Sequence, residues 1–310
     1  MTHKEKTFHY LSDLSIELKN GLDSFLGYKE NVSNVVMACL LTGSNFLLED
    51  APGVGKTTFV KLISKFLDLD MKRLQCTSDL LPSDLIGTQI YDPDKKEFVF
   101  HEGPIFSNIL LADELNRSSS KTQSALLQAM EEKAVTIDKK TKILPYPFYV
   151  IATQNPTEYT GTFPLPESQM DRFAAKISLN YPSEEKEKKI FSSSKKDPLD
   201  LLRRNILSKK DLLNIYRLVD KIYLSDNLVN SMYAVIKKSR EHKDIQLGVS
   251  TRGGIQWLRL AKAIAFMEKR DFVTPDDLIC LAYSCLTHRM IFREEKSSLI
   301  IKDLLEEMDI

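Results

Sequence analysis

Apolar positions along the chain fall into two regimes. Through about the first 180 residues, short apolar runs alternate with longer amphipathic stretches. Ser44 to Glu49 (SNFLLE) is a strand-length run that ends at a glycine-rich loop. Beyond the loop, Phe59, Leu62, Ile63, Phe66 and Leu67 recur at i, i+3, i+4, i+7 and i+8, one stripe of a helix. Asn108 to Ala112 (NILLA) reads as a second strand, closed by two acids, and Ser118 to Lys133 as the helix after it. Phe148 to Thr153 and Ala174 to Leu179 read as a third and a fourth strand. Apolar strands separated by helices predict an α/β fold, a parallel sheet covered on both faces.

Past Tyr181-Pro182 the helical period takes over. Ser183 is suited to cap a helix opening with Glu184 and Glu185, and residues 192–198 (SSSKKDP) read as a loop. Leu212 to Lys221 and Leu228 to Arg240 have helical patterns, and Trp257, Leu260, Ala261, Ile264 and Ala265 form a further stripe. Thr274-Pro275-Asp276-Asp277 is a helix start, with Thr274 as cap. The boundary is expected near 181–183: an α/β core over 1–181 with a short N-terminal helix, then a helical domain over 182–310. Two insertions read as hairpins, Gly87 to His101 around Asp92-Pro93-Asp94, and Ala134 to Ile143. Lys95, Lys96, Lys139, Lys140 and Lys142 lie near their tips, where lysines ordinarily keep exposed turns soluble.

Charge narrows the choice of partners. Lys+Arg and Asp+Glu both number 43, so no net field favours a nucleic acid or a membrane surface. The longest apolar run, Val35 to Leu41, falls far short of the roughly 20 residues that span a bilayer. No membrane insertion is expected, and the polar N-terminal stretch lacks the apolar centre of a secretory signal. Cys39, Cys76, Cys280 and Cys285 form no C-x-x-C pair and read as free thiols of a cytoplasmic protein.

The loop after the first strand carries the chemistry. Pro52, Gly53, Val54, Gly55, Lys56, Thr57 and Thr58 lie between a strand and a helix, the setting that separates a phosphate loop from a chance glycine turn. Glycines let successive backbone N–H groups converge on phosphate oxygens, and the helix N-terminus adds its positive end. Lys56 suits the terminal phosphates, and the Thr57 hydroxyl suits Mg²⁺. Asp50 stands where such loops open with glycine and is expected to shape the turn. After the second strand, Asp113 would hold Mg²⁺, and Glu114 would act as general base toward water. That glutamate points to hydrolysis, because a small-molecule kinase has no use for it.

Asp113-Glu114-Leu115-Asn116-Arg117, Ala152-Thr153-Gln154-Asn155-Pro156, Pro164-Leu165-Pro166-Glu167 and Asp171-Arg172-Phe173, taken with the loop from Glu49 to Thr57, resemble the MoxR family of AAA+ ATPases. The resemblance runs from about Leu26 to about Arg289. It implies an AAA+ parallel-sheet core with helices on both faces, followed by an all-helical lid. Asn155 then matches the first sensor, beside the water near the γ-phosphate. Arg172 matches the arginine finger offered to a neighbour's nucleotide, with Arg117 a competing candidate. Arg252 resembles the second sensor of the lid, and Gly27 and Tyr28 match the segment along adenine. The hairpins would contact the pore or a client.

The expectation is a Mg²⁺-dependent ATP hydrolase acting as a ring, by resemblance a hexamer, with ATP between subunits. By the same resemblance its role is chaperone-like maturation of partner proteins, often ones with von Willebrand factor A domains. Two alternatives stand beside it. One is a nucleic-acid-stimulated motor, disfavoured by the zero net charge and by the lack of an aromatic-basic platform. The other is a non-hydrolysing scaffold, disfavoured by Glu114, Asn155 and Arg172 occurring together.

Overall fold

The computed structural model describes residues 3–26, 31–137, 140–156, 163–181, 183–184, 187–188, 191, 205–294 and 297–308. Gly27, Tyr28, Lys139, Pro182, Glu185 and the loop at 192–198 lie outside the described residues. In chain order the elements begin with α1 (His3–Leu26), α2 (Val32–Leu41), β1 (Phe46–Glu49), α3 (Lys56–Leu67), β2 (Met71–Gln75) and α4 (Pro82–Ile86). The hairpin strands β3 (Gly87–Asp92) and β4 (Glu97–Glu102) follow, then β5 (Ile109–Asp113) and α5 (Ser120–Glu132). After these come β6 (Ala134–Ile137), β7 (Lys140–Ile143), β8 (Tyr149–Gln154), α6 (Glu167–Met170) and β9 (Ala175–Ile177). The rest comprises α7 (Lys209–Asp220), α8 (Asp226–Glu241), β10 (Ile245–Leu247), α9 (Thr251–Met267), α10 (Pro275–Leu286), β11 (Ile291–Phe292) and α11 (Ser297–Leu305).

Five strands form one sheet in the order β2-β5-β8-β1-β9, all parallel. The fifth, β2, is absent from the sequence expectation. It is an edge strand whose Lys72, Arg73 and Gln75 are exposed, so MKRLQ shows no apolar run. The central strands alternate between two cores. Phe46, Leu48, Ile109, Leu111, Tyr149 and Ile151 pack with α2, α3 and the helical half. Leu47, Leu110, Ala112, Val150 and Ala152 pack instead with Leu126, Leu127 and Met130 of α5 and with Phe173. The helical half therefore shares a continuous core with one sheet face, which fixes it against the site-bearing loops.

Two further departures have plain causes. The N-terminal helix is not short: α1 runs 24 residues. It buries Leu11, Leu18 and Leu22, and its Ser12 hydroxyl donates to the Phe266 carbonyl of α9 at 2.9 Å, so it spans core and helical half. The helical half also carries one antiparallel ribbon, β10 with β11, too short to leave a periodic signal. Both hairpins form. Gly87 sits at φ +108°, where an added Cβ would lie 2.2 Å from the His101 carbonyl oxygen, so only glycine closes β3 onto β4. Lys142 is not a mere solubilising lysine. Its Nζ lies 3.3 Å from Glu102 and 4.2 Å from the Phe100 ring centre, tying one hairpin to the other. Among the described residues no helix is long and apolar enough to cross a membrane.

Candidate functional site

The phosphate loop leaves the carboxyl end of β1 and enters α3 at Lys56. Gly53 and Gly55 hold φ of +85° and +91°, conformations that favour glycine, and the space in front of Gly53 is open. Lys56 Nζ donates to the backbone carbonyls of Asp50 at 2.7 Å and Ala51 at 3.4 Å, which lays the ammonium across the loop. Thr57 and Thr58 are half-buried in the first turn of α3, and Pro52 is exposed. Asp50 faces away from this chemistry. Its buried carboxylate accepts from Ser178 Oγ at 2.7 Å, Leu179 N at 2.8 Å and Asn180 N at 3.0 Å. An acid here staples the end of β1 to the chain leaving β9, a bond that glycine cannot make.

The acids lie two strands away, on the same edge of the sheet. Asp113 ends β5 with its carboxylate buried between two donors: Thr153 Oγ1 at 2.6 Å on one oxygen, Arg73 at 2.6 and 3.0 Å on the other. Glu114 has left-handed backbone (φ 56°), and its N–H donates to Thr153 Oγ1 at 2.8 Å. Its Oε2 accepts from Gln75 Nε2 at 2.9 Å and Arg117 Nη1 at 3.0 Å. Arg73 and Gln75 are themselves joined at 2.8 Å. Sequence reasoning missed both because they sit on β2; their one signal is the i, i+2 spacing of polar residues on a short strand. Arg117, the competing trans-acting candidate, is engaged by Glu114 of the same chain at 3.0 Å. Asn155 is buried directly after β8, the strand between β1 and β5. The loop, Asp113, Glu114 and Asn155 thus share the crevice outside the carboxyl ends of adjacent strands, where open parallel sheets bind ligands. A hydroxyl at Thr57 and a carboxylate at Asp113 are the hard oxygen donors that Mg²⁺ accepts beside phosphates.

Arg172 and Arg252 stand at the opposite edge. The register Phe46↔Ala175 sets Arg172, just before β9, level with the amino end of β1. Arg252, matched to the second sensor, lies in the first turn of α9, as expected of a residue that starts a lid helix. Both arginines pair with one carboxylate, Glu131 in the last turn of α5: Arg172 Nη2 with Oε2 at 3.4 Å, Arg252 Nη2 with Oε1. Together with Glu131, Lys133 and Arg259 they line a cavity of about 180 Å³. Burial, and Arg259 after it, pull the Lys133 ammonium down to about 8.

The neighbouring residue grips the helical half. Asp171 accepts from Arg289 Nε at 2.8 Å and from Ser250 Oγ at 2.8 Å, and Ser250 caps α9. Arg289 is buried and also donates to the carbonyls of Phe173 at 2.6 Å and Ala174 at 3.2 Å. His288 Nε2 meets the Phe173 carbonyl at 3.0 Å. A carbonyl only accepts, so the neutral ring carries its proton on Nε2. Burial, then the Arg289 charge, hold its pKa well below the ordinary value. No local motif marks His288 or Arg289; only the fold brings them to residues 171–174.

Comparison with known proteins agrees with this architecture. A family described as ATPase family associated with various cellular activities (AAA) matches residues 45–175, and an AAA lid domain matches 237–307. The chain is 45% identical over 268 residues to an uncharacterized Bacillus subtilis (strain 168) protein, YeaC, covering 86% of this chain and 83% of that one. It is 38% identical over 261 residues to Chaperone MoxR1 of Mycobacterium tuberculosis, covering 81% and 69%. Protein MoxR of Methylorubrum extorquens is 24% identical over 308 residues, covering 89% and 88%. The crystal structure of an ATPase candidate from Cytophaga hutchinsonii superposes with a TM-score of 0.88 at 38% identity, covering 99% and 98% of the two chains.

Proposed function

The chain belongs to the MoxR family of AAA+ ATPases, and on that premise we propose that it is a Mg²⁺-dependent ATP hydrolase working as a ring that remodels partner proteins. The observation that carries the reading is the separation of the site's parts. The phosphate loop, Asp113, Glu114 and Asn155 share one edge of the sheet, while Arg172 stands at the other. One subunit then holds both halves of an active site but cannot join them; a neighbour in a closed ring can.

The residues divide the work as follows. The loop from Pro52 to Thr58 holds the phosphates, with Lys56 turning from its carbonyls to the terminal ones. By the family resemblance, Gly27 and Tyr28 would belong to the adenine-binding segment. Thr57 and Asp113 would hold Mg²⁺, which supplies charge neutralisation on the β- and γ-oxygens. Glu114 takes the proton of the attacking water; both of its present bonds fall on Oε2, which leaves Oε1 for that proton. Asn155 orients the water. Arg172 of the adjacent subunit, accompanied by Arg252, stabilises the charge that develops on the transferring phosphoryl group.

Hydrolysis then moves the helical lid (182–310) against the core (1–181) and shifts the two hairpins. A client is the object of that movement, in keeping with the chaperone name of the Mycobacterium relative and with the von Willebrand factor A clients the family implies. A hexameric ring in the cytoplasm completes the reading. Glu114→Gln tests it: the variant is expected to bind ATP with near wild-type affinity and to lose hydrolysis by about a hundredfold or more, the scale of a lost general base. Equal turnover by variant and wild type refutes the mechanism.

A further inference from the structure

Arg172 and Arg252 come from different parts of the chain, 80 residues apart, yet they end on one carboxylate. Glu131 gives each guanidinium its own oxygen, Oε2 to Arg172 and Oε1 to Arg252. Side-chain exposures of 30%, 44% and 44% for Arg172, Arg252 and Glu131 put the triad at the surface. An exposed ion pair contributes little to folding stability. It does restrict two long, rotamer-rich side chains that would otherwise sample many positions. Excess positive charge marks the place: Lys133 and Arg259 line the same cavity, and among the described residues Glu131 is the sole acid lining it. One residue before Arg172 and two before Arg252, Asp171 and Ser250 join the same two segments at 2.8 Å, so the spacing between the two arginines is set twice over.

We propose that Glu131 is a positioning residue for the trans-acting arginines: its carboxylate holds Arg172 of the core and Arg252 of the lid at a fixed spacing, so that both reach a neighbour's triphosphate together. The proposal rests on the reading that Arg172 acts on a neighbouring subunit. Glutamine cannot replace the carboxylate, because one of its two polar atoms is a donor that meets a guanidinium donor. Aspartate keeps the charge but is shorter by one methylene, so it reaches one arginine better than two.

The test uses the full chain, ATP turnover, binding of a fluorescent ATP analogue and subunit mixing. Glu131→Gln is expected to lower kcat by about tenfold to a hundredfold, the upper figure being the scale of a group displaced by about 1 Å, while KM and analogue affinity stay within about twofold and the melting temperature is unchanged. Glu131→Asp is expected to fall between it and wild type. Mixing Glu131→Gln subunits with Glu114→Gln subunits should restore turnover above that of either alone. An intact Glu114 then meets an intact Glu131 across some interfaces. Arg172→Ala mixed with Glu114→Gln serves as the parallel arm. If that pair complements but Glu131→Gln is fully active, or is inactive and not rescued by mixing, Glu131 has no trans role and the proposal falls alone. If Arg172→Ala with Glu114→Gln does not complement, the underlying reading fails and takes the proposal with it. Should Glu131→Gln fail to fold, wild-type kcat in Glu131→Asp overturns the proposal by itself.

Discussion

Replacing Asp171 by asparagine should loosen the junction between core and helical half. The Arg289 side chain is 1% exposed and that of Asp171 18%, so this ion pair is largely withdrawn from water. Breaking such a pair by neutralising one partner strands the other charge and costs about 3–5 kcal/mol. The lower figure applies here for two reasons. An amide oxygen still accepts from Ser250, and Arg289 keeps its bonds to the Phe173 and Ala174 carbonyls. With an unfolding entropy of about 2.1 cal/mol/K per residue over the 310-residue chain, about 3 kcal/mol lowers the melting temperature by about 5 °C. Scanning calorimetry of Asp171→Asn, Arg289→Met and the double variant measures it. The double variant should melt well above the sum of the single losses, because it strands no charge. ATP turnover should fall too, since Asp171 precedes Arg172 and joins it to the segment carrying Arg252. A shift below about 1 °C, or strictly additive losses, would refute the argument that this pair is buried and coupled.

Three further outcomes are expected. Asp50→Ala removes three hydrogen bonds to residues 178–180 and should cost about 4.5 kcal/mol, the lower bound of about 1.5–3 for each bond to a charged group. ATP affinity should be nearly unchanged, because Lys56 is held by the Asp50 backbone; calorimetry with nucleotide titration separates the two. The folded state keeps His288 neutral while the unfolded chain protonates near 6.5, so its contribution is present above that pH and lost as pH falls. His288→Gln should flatten the decline in denaturant stability between about pH 6.5 and 5. Burial raises the thiols of Cys76 and Cys285 to about 12, that of Cys39 well above its ordinary value and that of half-buried Cys280 to about 11. At pH 8 a thiol reagent should therefore modify Cys280 slowly and the other three only after unfolding. Rapid labelling of all four cysteines in the native protein would contradict this packing.

Much of the site could be read before the fold because its signals are local. A glycine loop followed by Lys56-Thr57 lies within a few residues of its strand and helix, and acids at the end of an apolar strand fall where a parallel sheet opens its crevice. The buried strands β1, β5 and β8 announce themselves by hydrophobicity alone, as does the stripe of α3. Strand β2 does not, because an edge strand buries one side and can carry Lys72, Arg73 and Gln75 outward. Losing β2 from the pattern also hid the partners of Asp113 and Glu114.

Other features depend on distance in the chain, not on pattern. Asp50 was expected to shape the turn, but the partners that do so, some 130 residues later, belong to no local pattern. Arg252 could be placed at the start of a lid helix from the sequence, but that it shares Glu131 with Arg172 follows only from how the helical half docks. Glu131, His288 and Arg289 belong to no motif; each matters only through a residue of another element. Hydrophobic period and backbone chemistry act over one or two turns, so they dictate strands, helices and the phosphate loop. Which side chains meet Glu131, Asp50 and Asp171 is set by strand order and by the docking of one core against another, and only the folded chain holds that information.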